Sequence, residues 1–253
     1  MKKFLAWYFL LFTLSSTAFA DPFRLVTSGN FVPFTGEDWR SRGMIVEIVD
    51  RIMPEAGLKH EVVFQPTWDA LLSDTEEGRY QATFPWYLNE KRAQRFLYTD
   101  PLMSNYIVPF VLTAGHVRTS EREGLAGHRF CRPQGYFTHD LNDLLKQPGT
   151  TLEQPATLKH CFKLLKAGAV DVIPVDIFSA KEAIETVFDN PEAVRRLSFV
   201  FSRQEMHILV PKQAAGSQEL VDRINLAIAK LELRGVLQSI RDIHANRFLR
   251  QYQ

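Results

Sequence analysis

Cysteine is scarce in this chain: two among 253 residues, Cys131 and Cys161. That excludes a disulfide-dense miniature scaffold and a cysteine-rich zinc module. None of the seven histidines pairs with another at i, i+4 or flanks a cysteine at ligand spacing, so no metal site is expected. A G-x-S-x-G elbow, a glycine-rich phosphate loop and an H-E-x-x-H helix are missing, and with them common signatures of hydrolase, nucleotide-binding and metalloprotease chemistry. No cofactor is expected. An excess of one charge is missing too. The 30 basic and 29 acidic residues leave a formal charge of +1, hence no footprint for nucleic acid or an anionic membrane.

What is present begins at the N-terminus. "MKKFLAWYFLLFTLSSTAFA" has two lysines, an apolar core from Phe4 to Leu14, and a small-residue end at Ala18-Phe19-Ala20. This charged, apolar, A-x-A order is that of a secretory signal peptide over residues 1–20, with an apolar core too short for a membrane span of about 20 residues. The mature chain is expected to start at Asp21 and to be periplasmic. No cysteine follows the cleavage site to carry a lipid. An oxidising compartment invites a disulfide between Cys131 and Cys161, the alternative being two buried thiols.

Beyond residue 20 the pattern alternates strands with helices, the mark of an α/β chain with crossover helices. "FRLVTSG", "HEVVFQP" and "YQATFPW" read as strands. "GMIVEIVDRIM" reads as a helix with Ile45, Ile48, Val49, Ile52 and Met53 on one face, ended or kinked by Pro54. "NEKRAQRF" opens a further helix with Asn89 as N-cap. From about Asn105 the character shifts. "YIVPFVLTAG", with Pro109 favouring an edge or crossover position, precedes the strands "HRFCRPQG", "VDVIPVD" and "MHILVPK". The helices "FTHDLNDLLKQ", "PATLKHCFKLLKAG" and "IFSAKEAIETVF" lie among them, and a helical tail closes the chain. The expected organisation is two α/β lobes: residues 21–105 with 207–253, and an inserted lobe over 106–206, so that the chain crosses twice.

Ligands in open α/β sheets bind beyond the carboxyl ends of strands. Four such junctions carry unusual residues: Phe31 and Phe34 after the first strand, Trp86, Tyr87 and Arg92 after the third, Gly135 and Tyr136 after "HRFCRP", and Asp176 after "VDVIPV". Arg92 offers a planar fork for a carboxylate. Gly135 is expected to allow close backbone approach, and helix N-termini after Asn89 and Gly135 to add donors. Asp176 suits an ammonium, or simply caps its helix. Phe31, Trp86 and Tyr136 can enclose an apolar or cationic body. Phe34 and Trp68 also read as core. A carboxylate on one wall and an amine on the other describe an amino acid.

The order "TSGNFVPFTG", "GMIVEIVDRI", "GRYQATFPWYLNEKRAQRFLYTDPL" resembles the extracellular solute-binding protein family 3, the periplasmic receptors that feed polar amino acids to ABC transporters. The resemblance covers essentially all of the mature chain, and "NEKR" followed by "YTDPL" is its most specific part. It implies a two-lobed periplasmic-binding-protein fold of type II with a hinged cleft. It also implies that Arg92 clamps an α-carboxylate, that Asp176 takes an α-ammonium, and that Phe31 stacks on the ligand's side chain. The family's usual Asp is Gln81 here, its small hydroxyl residues are Phe84, Pro85, Trp86 and Tyr87, and its threonines after the glycine are Tyr136 and Phe137. These replacements point to an aromatic, larger or non-standard ligand. The expectation is a monomeric, non-enzymatic receptor with a membrane permease or sensor as partner. A sensory adaptor and a dehydratase-like enzyme on the same fold are the alternatives.

Overall fold

The computed structural model describes residues 21–29 and 31–251; the expected signal peptide lies outside the described residues. In chain order the elements are β1 (Phe23–Ser28), α1 (Met44–Glu55), β2 (His60–Gln65), α2 (Trp68–Glu76), β3 (Ala82–Tyr87), α3 (Glu90–Ala93), β4 (Phe96–Tyr98), β5 (Met103–Leu112), β6 (Arg129–Cys131), α4 (Asn142–Leu145), β7 (Thr151–Glu153), α5 (Leu158–Lys166), β8 (Ile173–Asp176), α6 (Ile177–Val187), β9 (Val194–Arg196), β10 (Ser202–Pro211), α7 (Ser217–Leu233) and α8 (Val236–Gln251). Among the described residues no helix is long and apolar enough to cross a membrane.

The sheet runs β2-β1-β3-β10-β5-β8, with β4 paired to β10 and β9 to β5. β1 lies parallel to β2 and β3, as crossover helices α1 and α2 require, whereas β10 runs antiparallel to both β3 and β5. β5 and β10 are the long strands, ten residues each, and pair with one another. Pro109 sits inside β5, opposite Pro174 of β8, where the partner on the other side changes from β10 to β9. A residue without an N–H is tolerated at such a change of partner.

The apolar stripe of α1 is fully used: Ile45, Ile48, Val49, Ile52 and Met53 pack with Leu25, Phe84, Ile224 and Ile228 in a core built from β1, β3, β10, α7 and α8. Gly43 brings the preceding loop onto that helix. Its φ is +106°, and a Cβ there would stand 2.5 Å from the Phe34 carbonyl oxygen, so no other residue fits without a shift. The Pro33 and Phe34 carbonyls accept from the Met44 and Ile45 N–H groups at 2.8 Å each. The loop bearing Phe31 is thereby fixed to the start of α1. A second core joins β5, α5, β8 and α6, and a third joins β5 and β6 with Leu125, Leu141 and Phe201.

Phe178, in the first turn of α6, belongs to the first core, not the second. Its ring stands edge-on to Phe34 at 5.6 Å and to Phe248 of α8 at 5.4 Å. Cys131 and Cys161 form the expected disulfide, with Cα atoms 5.6 Å apart, joining the end of β6 to the buried face of α5. Closing a loop across a sequence separation of 30 contributes roughly 3–4 kcal/mol on the chain-entropy argument. Replacing both cysteines by serine is expected to lower the unfolding free energy by about that amount, measured by urea denaturation. A loss below about 1 kcal/mol would show that the bridge does not constrain the unfolded chain.

Candidate ligand-binding cleft

β3 ends at Tyr87, and Asn89 stops the strand by turning its side chain onto the next segment: its Oδ1 accepts from the Arg92 N–H at 3.1 Å. The helix is a single turn, α3, so its N-terminal donors are few and Asn89 takes one of them. What the turn does is aim Arg92 back at the strand. One Nη2 hydrogen goes to the Tyr87 carbonyl oxygen at 3.0 Å and Nε reaches the Tyr98 hydroxyl at 3.4 Å. The guanidinium also stacks on Trp86, 4.7 Å from the ring centroid. A guanidinium has five N–H groups, and the remaining three have no hydrogen-bond partner among the described residues.

A chain of aromatic rings leads away from this cation, starting at Trp86. Trp86 meets Trp68 edge-on at 5.2 Å, Trp68 meets Phe31 at 6.0 Å, and Phe31 packs on Phe34 at 4.7 Å. Phe34 is fully buried core, whereas Phe31, Trp68 and Trp86 remain partly exposed. Trp68 therefore lines the same wall as the residues singled out from sequence. It stands at the carboxyl end of β2, and the strand-to-helix rule that found the other four junctions extends to this fifth one.

The opposite wall is organised by Arg132, a residue without a motif. It is 1% exposed and spends all five N–H groups: Nη1 on the Phe137 carbonyl and Asp140 Oδ1, Nη2 on Asp140 Oδ2 and the Pro174 carbonyl, and Nε on the Pro174 carbonyl. Asp140 also accepts from the Ser202 hydroxyl at 2.6 Å. Gly135 sits in the loop so anchored with a φ of +82°, and a Cβ there would meet nothing within 4 Å, so left-handed backbone, not close approach, calls for glycine. No helix follows it directly; α4 starts only at Asn142, after a turn at His139–Leu141.

Asp176 ends β8 and caps α6, its Oδ1 accepting from the N–H groups of Phe178 and Ser179 at 3.1 and 2.9 Å. It is 3% exposed, and burial lifts its carboxyl above the ordinary range. Desolvation of the phenol and then the Asp176 charge raise both Tyr87 and Tyr136, the latter less strongly because Tyr136 keeps 39% of its surface exposed. The Tyr87 hydroxyl accepts from Asn105 Nδ2 at 2.7 Å, and its ring meets the edge of Phe137 at 5.0 Å. Asn105, a lone amide in an apolar strand, has no sequence signal as a site residue, whereas Phe137 is marked only as one of the aromatic replacements after Gly135. The arrangement thus joins Phe31, Trp68, Trp86 and Arg92 on one side with Tyr136, Phe137 and Asp176 on the other, and Tyr87 touches both. No cluster of three or more potential metal ligands occurs among the described residues.

Residues 23–246 match the bacterial extracellular solute-binding proteins, family 3. The L-cystine-binding protein TcyJ of Escherichia coli (strain K12) is 22% identical over 218 residues, which are 84% of this chain and 78% of that protein. Among solved structures, a mutant of the arginine-binding protein ArgBP from T. maritima superposes with a TM-score of 0.67 at 20% identity, covering 88% of this chain and 94% of that one. A histidine kinase sensor domain with similarity to periplasmic binding proteins gives 0.70 at 20% identity over 88% and 95%. The fold is that of the two-lobed periplasmic binding proteins.

Two substitutions test the second wall. Arg132→Met leaves Asp140 buried with its countercharge gone and is expected to cost roughly 3–5 kcal/mol in urea unfolding; a cost under 1 kcal/mol would mean the pair is dispensable. Asp176→Asn keeps a capping oxygen but cannot ionise. Because the folded protein holds this proton more tightly than the unfolded chain, the native group's contribution is present below the usual carboxylate pKa of 3.8 and is lost as pH rises through the folded value. The variant is expected to gain stability relative to wild type as pH rises above the usual carboxylate value of 3.8, by about 1.4 kcal/mol for each unit of the lift. A difference that stays flat with pH would remove the premise.

Proposed function

The chain belongs to the bacterial extracellular solute-binding proteins, family 3, and from that premise we propose that it is a periplasmic receptor for an amino acid or amino-acid derivative, delivering it to an ABC transporter without turnover. The reading takes the mature chain to begin at Asp21, after a cleaved signal peptide, and to form one lobe from residues 21–105 with 207–253 and another from 106–206. It is supported at the family level by relatives such as the E. coli L-cystine-binding protein. Within the chain it rests on one observation above the rest: Arg92 is held in place by two of its N–H groups and keeps three for a ligand. A fixed guanidinium with a free edge is a carboxylate site prepared in advance. Phe31, Trp68 and Trp86 beside it suit an apolar or aromatic body, and Tyr136 with Asp176 faces it from the second lobe.

The lobes would close because only the closed form lets both walls touch the ligand. A thermal-shift screen of residues 21–253 against amino acids, dicarboxylates, polyamines and aromatic acids checks the reading. A ligand at about 100 times its dissociation constant adds roughly 2.7 kcal/mol, a rise of about 5–10 °C for a chain of this size. Arg92→Ala is expected to weaken the hit by at least about 100-fold, since charge-assisted bonds contribute roughly 1.5–3 kcal/mol each. Undiminished binding by that variant would sink the proposal.

A further inference from the structure

We propose that Tyr98 is a positioning residue for the ligand clamp: its hydroxyl closes one fork of the Arg92 guanidinium and leaves the other for a carboxylate. The inference rests on the receptor reading and deepens it by saying which edge of the cation meets the ligand. A guanidinium offers a carboxylate two pairs of adjacent N–H groups, one on Nε and Nη2, the other on Nη1 and Nη2. Nε carries a single hydrogen, and the Tyr98 hydroxyl accepts it at 3.4 Å. The Tyr87 carbonyl takes one of the two hydrogens on Nη2 at 3.0 Å. The first pair is thereby spent inside the protein. Trp86 lies against the cation at 4.7 Å, but a ring face alone leaves the guanidinium free to turn in its own plane. The two hydrogen bonds oppose that turn. At 3.4 Å the bond to Tyr98 is long, so it orients more than it stabilises.

Tyr98 is itself held where such a role needs it. The same hydroxyl accepts from the Asn89 N–H at 3.3 Å, so one oxygen ties both the cap of α3 and the cation that α3 carries. α3 is a turn of four residues, too short to keep its shape unaided in water. The Tyr98 backbone pairs with Leu209 of β10, and its ring stands edge-on to His207 at 5.5 Å. His207 is in turn the strand partner of Trp86, and its Nδ1 is tied to the Thr99 carbonyl oxygen at 2.8 Å. The ring against Arg92 and the hydroxyl beside it thus come from strands on the two sides of β10. Preorganisation of this kind lowers the cost of binding, because the fork needs no reorientation when a carboxylate arrives. Phenylalanine would serve the strand pairing and the ring contact equally well. The hydroxyl is the part that the two donors use.

The test compares residues 21–253 as wild type, Tyr98→Phe, Arg92→Lys and the double variant, each shown to be folded by urea denaturation. The Arg92 Nε–H gives a nitrogen NMR signal, assigned by its disappearance in Arg92→Lys, that reads the clamp without any ligand. Its hydrogen exchange is expected to accelerate by at least about 3-fold in Tyr98→Phe. Calorimetric titration uses L-phenylalanine and L-methionine first, then the remaining amino acids of the thermal-shift panel. Affinity is expected to be about 3- to 10-fold weaker in Tyr98→Phe than in wild type. Lysine has no planar fork to orient, so the same change made in Arg92→Lys is expected to alter affinity by less than about 2-fold. A merely structural tyrosine would weaken both backgrounds alike. Unchanged exchange in Tyr98→Phe, or an equal loss of affinity in the two backgrounds, overturns the inference and leaves the receptor reading standing. Binding of no amino acid by folded wild type overturns the receptor reading and the clamp with it, whatever the Nε signal does.

Discussion

A guanidinium sealed from water has to place five N–H groups inside the protein, and Arg132 places them on four acceptor atoms of two separate segments, residues 137–140 and β8. That requirement sets the second wall of the cleft. The Phe137 carbonyl, the Asp140 carboxylate and the Pro174 carbonyl must converge on one plane, so the loop after β6 and the end of β8 have a fixed separation. Asp140 passes the constraint to β10 through Ser202, and the Gln204 side chain donates to the same hydroxyl at 3.2 Å. Lysine cannot substitute, because a point charge with three rotatable donors does not present a planar fork. Tyr136 and Asp176, on either side of this knot, inherit their positions from it.

Arg92 is the same residue type under the opposite condition. It is partly exposed, it stacks on a ring, and its protein partners take two donors, not five. The contrast separates a structural arginine from one with capacity left to bind. Asp176 is fixed by its cap on α6, which holds the carboxyl still and buried. The cap engages Oδ1, so the N-cap reading and the ligand reading of this acid are compatible in geometry.

Much of this was legible in the chain itself. The 3.6-residue spacing of Ile45, Ile48, Val49 and Ile52 marked a helix buried on one face, and the α1 stripe packs as that spacing requires. Asn89 capped as its type and place suggested. Short elements were not legible: β4, β7 and β9 have three residues each, too few for a period to register. "FTHDLNDLLKQ" reads as one helix, yet it divides into a turn and the four residues of α4, since Arg132 takes the Phe137 carbonyl and Asp140 carboxylate that begin it. The site was half visible for a similar reason. Arg92 and Asp176 stand at strand ends, where a rule applies, whereas Arg132 and Asn105 matter only through partners 42 and 18 residues away.

The contacts between the two parts of the chain bear on how hard a ligand must work to close it. On the proposed division of the chain, Phe178 packs outside its own lobe on Phe34 and Phe248, and Tyr87 of one lobe meets Phe137 of the other. Burying one phenylalanine is worth roughly 1.5–3 kcal/mol, and each aromatic pair adds about 0.5–1.5 kcal/mol. Separating the lobes would forfeit a few kcal/mol before any ligand contact is counted. Micromolar binding corresponds to about 8 kcal/mol, so the protein's own contacts are a substantial fraction of that and not the whole. A receptor with such a bias spends little of its ligand's binding energy on closure, because apparent affinity falls only with the fraction of molecules that are not competent. On the proposed reading, Arg92 then carries recognition with its three free donors, and the aromatic rings contribute to closure.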